Sequence, residues 1–165
     1  MIASLTSTAL GLGSNLGDRE KNLETALDKL GSLSETTVLK VSHYYLTQPL
    51  GRTDQDWFLN AAVLLDTKLR PRQLLQEILR IEQEMGRVRK EKWEPRLIDL
   101  DVLFLGQEVI EEKDLQIPHP HLSQRRFVLL PLAEIAPKWV HPVLKLTPGE
   151  MLNQLSKEGQ EAIRV

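Results

Sequence analysis

An α+β fold is predicted: a ferredoxin-like β-α-β-β-α-β core with extra C-terminal elements, arranged as a three-layer α/β/α sandwich. Three observations predict it. Apolar runs of strand length recur along the chain, two amphipathic helical stripes fall between them, and glycine and proline punctuate the joins. Thr8 to Gly13 is a short apolar run that reads as a buried strand. Asp18 can cap the helix that follows. Its stripe is Leu23, Ala26, Leu27 and Leu30, and Gly31 stands where a C-terminal cap belongs. Thr37 to Leu46, rich in β-branched and aromatic residues, reads as one strand. Gln48 to Asp56 carries Pro49 and Gly51 and reads as a loop, and Phe58 to Thr67 as the next strand. Pro71 suits the first turn of a second helix with the stripe Leu74, Ile78, Ile81 and Met85, ended by Gly86. Arg87 to Arg96 is a charged loop, and Ile98 to Leu105 is the last strand of the core. A hairpin near Glu108 to Ile110, a helical stretch from Ser123 to Ile135 and a short helix from Gly149 to Leu155 follow, and could cover the other face of the sheet.

The 165 residues suffice for one domain, 1–165, with a sizeable core. Hydrophobic residues make up 41% and charged residues 27%, an ordinary globular mix. The net charge of −2 argues against nucleic acid as a partner, so attraction for an anion must come from a local basic cluster. The absence of cysteine excludes disulfides, thiolate metal sites and cysteine nucleophiles, and suits a reducing compartment. No stretch has the form of a signal peptide or the roughly 20 apolar residues of a membrane span. A cytoplasmic setting with no membrane partner is the expectation.

The sharpest chemical feature is Asp99-Leu100-Asp101. Side chains alternate along a strand, so both carboxylates point to one side, while Ile98, Leu100, Val102 and Phe104 point to the other and into the core. Two neighbouring carboxylates repel unless a cation lies between them. Magnesium takes one or two carboxylates and completes its shell with phosphate and water. A bare D-x-D is equally a pair of solvated acids. Here Arg87, Arg89, Lys90, Lys92 and Arg96 lie just upstream, and such a set suits clamps on a polyphosphate that shares the metal. His119 lies between Pro118 and Pro120, with Arg125 and Arg126 close behind, and near phosphate it would donate a hydrogen bond or balance charge. Gly11, Gly13 and Gly17 fit neither G-x-G-x-x-G nor the P-loop pattern. They read as a tight turn that permits close backbone approach.

Taken together, these segments resemble the 6-hydroxymethyl-7,8-dihydropterin pyrophosphokinase family of folate biosynthesis. The resemblance is carried by Gly13-Ser14-Asn15-Leu16-Gly17, Thr47-Gln48-Pro49-Leu50-Gly51, Phe58-Leu59-Asn60-Ala61-Ala62-Val63, Ile81-Glu82 and Gly86-Arg87-Val88-Arg89. It continues through Trp93, Pro95-Arg96, Asp99-Leu100-Asp101, Pro118-His119 and Arg125-Arg126-Phe127. It implies a magnesium-dependent transferase with ATP as co-substrate, in which Asp99 and Asp101 hold two Mg2+ ions. Arg87, Arg96 and His119 act at the transferring group, and Arg87, Arg89, Arg96, His119 and Arg125 bind ATP. Asn60 reads the pterin edge, Phe58 and Phe127 sandwich the ring, and Thr47, Gln48, Pro49, Leu50 and Trp93 complete the pterin site. The loops 48–56 and 87–96 are implied to close over the substrates. Glu94 stands where the family has a small residue, and the chain after about Pro142 lies outside the resemblance.

Two other classes compete. A ferredoxin-like sheet with a basic loop can bind RNA, though RNP-type aromatics are not evident. A related kinase would make a monophosphate ester and release ADP in place of AMP.

Overall fold

The computed structural model describes residues 4–49, 56–86 and 97–165. A mixed α/β chain forms a six-stranded sheet and a separate hairpin. The elements are β1 (Thr6–Ser14), α1 (Arg19–Gly31), β2 (Thr36–Val41), β3 (Tyr45–Thr47), β4 (Phe58–Thr67), α2 (Pro71–Glu84), β5 (Asp99–Leu105), β6 (Ile110–Glu112), β7 (Leu115–Ile117), α3 (Arg126–Ile135), α4 (Pro148–Asn153) and β8 (Ala162–Arg164). A 3-10 turn, Leu122–Gln124, precedes α3. The sheet runs β5-β1-β4-β3-β8, with β2 also paired to β4, and every pairing is antiparallel.

Local chemistry accounts for the boundaries. The Asp18 side chain accepts from the Lys21 N–H at 3.2 Å and starts α1. Gly31 is the last helical residue, and Ser32 takes the cap. Gly31 therefore does not supply the left-handed cap expected of it. Pro71 opens α2, where the Gln73 side chain accepts from the Arg70 N–H at 2.9 Å. Gly86, at φ 85°, ends its last turn.

The single strand expected over 37–46 is two. At the break, Ser42 donates its N–H to the Ala62 carbonyl and accepts the Ala62 N–H on its hydroxyl, both at 2.9 Å. The next residue turns away, and the His43 N–H and the Tyr45 hydroxyl reach Glu134 of α3 at 2.9 and 2.8 Å.

Two buried clusters lie against the sheet. One unites Leu10, Leu12, Leu100 and Val102 with Leu23, Ala26 and Leu30 of α1 and Leu74, Ile78 and Ile81 of α2. The other unites Ala9, Leu103 and Phe104 with Val128, Leu129 and Leu132 of α3 and Met151 of α4. Phe104 therefore faces away from Leu100 and Val102, contrary to simple alternation. A β-bulge is the reason: Leu10 pairs with Val102 and Ala9 with Phe104, which leaves Leu103 as the extra residue and inverts the pattern. The buried Thr8 hydroxyl donates to the Phe104 carbonyl at 2.6 Å. The hairpin comes slightly later than expected, as β6 and β7, and β8 was not anticipated. No helix among the described residues is long and apolar enough to cross a membrane.

The link from α3 to α4 is organised by His141, which is 7% exposed. Its Nδ1 accepts from the N–H groups of Val143 and Leu144 at 3.1 and 3.0 Å. Its ring lies 5.6 Å from Trp139, which stacks on Phe104 at 4.3 Å. Burial pushes the His141 pKa down. The unfolded chain then takes up a proton at a higher pH than the folded one, so this stability is present at neutral pH and is lost as pH falls below the ordinary histidine range. His141→Ala should cost about 1–3 kcal/mol in denaturant unfolding at pH 7.5. His141→Asn, which retains an acceptor, should cost less and should show a smaller loss of melting temperature than the parent between pH 7.5 and 5.5.

Candidate active site

Strand register assembles the site. Gly13 of β1 pairs with Asn60 of β4 on one side and Asp99 of β5 on the other. One step along, Gly11 pairs with Ala62 and Asp101. Gly11 and Gly13 thus lie in β1, within the strand expected over Thr8 to Gly13, while Gly17 lies in the connection to α1; the two strand glycines leave the β1 backbone between the amide and the acids without side chains of its own. With strands about 4.8 Å apart, the backbones of Asn60 and Asp99 are separated by roughly 10 Å.

Glycine at 13 is demanded by its neighbours. A Cβ there would sit 2.6 Å from Asn60 Oδ1 and 3.5 Å from the edge of the Phe58 ring. Asn60 is 5% exposed, and its Nδ2 donates a short hydrogen bond to the buried Thr47 hydroxyl. That bond fixes the amide with its oxygen over Gly13, and it meets the partner a buried asparagine in a strand requires. Phe58, two residues away on β4, shares the Asn60 face.

The loop from β1 to α1 holds the start of β4. Asn15 Nδ2 donates to the Asp56 carbonyl at 3.3 Å, and Arg19 donates to the Trp57 carbonyl at 2.7 Å. Asn22 donates to the Ser14 hydroxyl and the Leu16 carbonyl at 3.1 and 2.9 Å, across a turn where Gly17 takes φ 70°. Asn15 lies in a run singled out in the sequence, yet no role was read for it. Its sequence signal is an asparagine in a short run bounded by glycines, which carries no information about the strand it reaches.

At the acid end, Asp99 and Asp101 are both half-buried. Among the described residues β5 pairs in the sheet with β1 alone, and the buried Glu82 of α2 accepts the Leu100 N–H at 2.9 Å, between the two aspartates. His119 Nε2 lies 4.0 Å from Asp101 Oδ1. Its Nδ1 accepts the His121 N–H at 3.1 Å, so the neutral ring carries its proton on Nε2. Burial, then Arg125 and His121, push its pKa down to about 4 against the opposing pull of Asp99. Of the two roles open from sequence, donor or counter-charge, this favours the neutral donor. The His119 N–H donates to the Leu103 carbonyl at 3.0 Å, which docks the segment after β7 onto β5. Beside His119 a cleft of about 440 Å³ is lined by Val109, Gln116, Ser123, His141 and Val143.

Arg125 caps α3, and its guanidinium lies 5.8 Å from the Phe127 ring centroid. Phe127 packs partly against the second cluster. Gln48 and Pro49 continue from β3, and the Gln48 N–H donates to the Glu161 carbonyl at 2.9 Å. Leu50, Arg87, Arg89, Trp93 and Arg96 lie outside the described residues, as do most of the two loops implied to close. Among the described residues no group of three or more His, Asp or Glu side chains forms a metal cage.

Asn60 of β4 thus faces Asp99 and Asp101 of β5 across the backbone of β1, with the His119 ring beside Asp101. The family model for 7,8-dihydro-6-hydroxymethylpterin-pyrophosphokinase matches residues 9–137, and the chain belongs to that family. A 2-amino-4-hydroxy-6-hydroxymethyldihydropteridine pyrophosphokinase from Methylorubrum extorquens is 46% identical over 160 residues, covering 96% of this chain and 99% of the relative. A Bacillus subtilis protein of the same name is 48% identical over 126 residues, covering 76% and 75%. The fold is shared with Plasmodium falciparum HPPK-DHPS at a TM-score of 0.74 and 20% identity, over 92% of this chain and 42% of that one.

Gly13→Ala should displace the Asn60 amide from Thr47. The expected outcome is a fall in kcat/KM of about tenfold or more, with a far-ultraviolet circular dichroism spectrum like that of the parent.

Proposed function

We propose that this chain transfers a pyrophosphoryl group from ATP to 6-hydroxymethyl-7,8-dihydropterin, giving AMP and the pterin diphosphate in folate biosynthesis. The observation that carries this reading is the row Asn60–Gly13–Asp99. The Asn60 oxygen lies over Gly13, and the Asp99 backbone is one strand spacing, about 4.8 Å, further on. A ring read at that oxygen has the acid pair within reach of its hydroxymethyl arm.

The residues divide the work. The Asn60 oxygen, fixed by Thr47, accepts from the pterin edge, and backbone groups of Thr47 to Leu50 read the rest. Phe58 and Phe127 stack on the ring, and Trp93 closes over it. Asp99 and Asp101 fit magnesium in the manner usual for that ion: two carboxylates on one strand face, with the remaining positions left for substrate oxygens and water. When bound, the two Mg2+ ions supply charge neutralisation and align the two reacting oxygens. His119 donates Nε2–H to a phosphate oxygen, while Arg87, Arg96 and Arg125, with Arg89, hold the polyphosphate. The hydroxymethyl oxygen bonds to the β-phosphorus, the bond from that phosphorus to the oxygen shared with the α-phosphate breaks, AMP carries away the electron pair, and the hydroxyl proton is lost. The cleft beside His119 has the volume for a nucleoside.

The same reading takes 1–165 as one domain and the strand order β5-β1-β4-β2 as the ferredoxin-like arrangement, with helices on both faces. It also takes the enzyme as a cytoplasmic monomer, with neither nucleic acid nor membrane as a partner.

Incubation with ATP, Mg2+ and the hydroxymethyl dihydropterin should release AMP; ADP in its place would mean a simple kinase. Asp99→Asn and Asp101→Asn should each lower kcat by about a thousandfold with little change in melting temperature. Near-parental turnover in the double variant would remove the carboxylates from the mechanism.

A further inference from the structure

The family match ends at residue 137, yet the last residues of the chain touch both walls of the proposed pterin pocket. Strand β8 pairs Ala162 with Thr47, and Thr47 in turn pairs with Phe58. Gln48 and Glu161 exchange hydrogen bonds: the Gln48 N–H donates to the Glu161 carbonyl at 2.9 Å, and the Glu161 N–H donates to Gln48 Oε1 at 3.3 Å. That is the wall bearing Thr47, Gln48 and Phe58.

One residue earlier, Gln160 engages the other wall. Its Oε1 accepts the Arg126 N–H at 2.9 Å, its carbonyl accepts from the Arg126 guanidinium at 3.1 Å, and its Nε2 donates to the Gln124 carbonyl at 3.2 Å. These three bonds grip the start of α3 and the 3-10 turn before it, where Arg125 and Phe127 stand on either side of Arg126. The Arg126 N–H is one that α3 itself cannot satisfy, because it lies at the helix start.

We infer that Gln160 is a positioning residue for pterin binding: residues 160–162 form a strap that sets the distance between the Thr47–Phe58 wall and the Phe127 wall. A flat ring held between two aromatic faces is sensitive to that separation, since stacking weakens steeply as the gap opens. The acid pair and His119 are joined to the sheet through Glu82 and Leu103, independently of the strap. Losing Gln160 therefore acts on the pterin through Phe127, and on the nucleotide only through Arg125, one of five groups read as holding the polyphosphate.

The inference rests on reading Thr47, Gln48, Phe58 and Phe127 as pterin-facing, so the test separates the two. KM for each substrate, kcat and melting temperature are measured for the parent, Gln160→Ala, Gln160→Glu and Phe127→Ala. Gln160→Ala should raise the pterin KM by about three- to tenfold, the range expected for a lost hydrogen bond, with a smaller rise in ATP KM through Arg125 and with kcat and melting temperature little changed. Gln160→Glu, which keeps the acceptor for Arg126, should recover most of the loss. An unchanged pterin KM in Gln160→Ala, or a parallel rise in both KM values with a lower melting temperature, overturns the strap. An unchanged pterin KM in Phe127→Ala overturns the pocket reading, and the strap with it.

Discussion

One steric constraint underlies the site: position 13 has no room for a Cβ. Asn60 Oδ1 occupies the space a side chain would need, at 2.6 Å. Because Gly13 pairs with both Asn60 and Asp99, that exclusion keeps the middle strand bare between a hydrogen-bonding amide and a carboxylate. A glycine in a strand interior costs stability through backbone entropy and lost packing. Here that cost is offset by pairing on both sides and by the leucines at 10 and 12, which are buried on the opposite face.

The site's chemistry depends on how polar groups at its edges are satisfied. Thr47 orients the amide, Glu82 takes the N–H between the aspartates, and the His121 N–H selects the His119 tautomer. Each bond reaches the site from a different element, so its geometry is set by the packing of those elements. The bulge at Leu103 has a similar effect. It returns Phe104 to the face where Trp139 stacks, and the Leu103 carbonyl accepts the backbone of His119.

Much of the fold was legible because it follows from local rules. The Asp18 cap, the stripe of α2, the bounds of β4 and the glycine at 86 are near-neighbour effects of period and capping. The D-x-D pair was legible for the same reason, since a period of two places alternate side chains together. The failures came where a distant partner decides. Ser42 and Glu134 divide one β-rich stretch into β2 and β3, and a bulge reverses the facing of Phe104. The glycines at 11 and 13 were legible as the end of a strand and as points of close approach, but that Leu103 and Asn60 are the side chains approaching them was decided by register.

The sequence by itself determined which residue types are present, their local periodicity and the family to which they belong, because these depend on composition and short-range spacing. Tertiary structure decided that Asn60, Gly13 and Asp99 share one row, that His119 lies beside Asp101, and that residues 160–162 close on Gln48 and Arg126. Those relations arise from strand register and burial, which join positions tens of residues apart and leave no mark in local spacing.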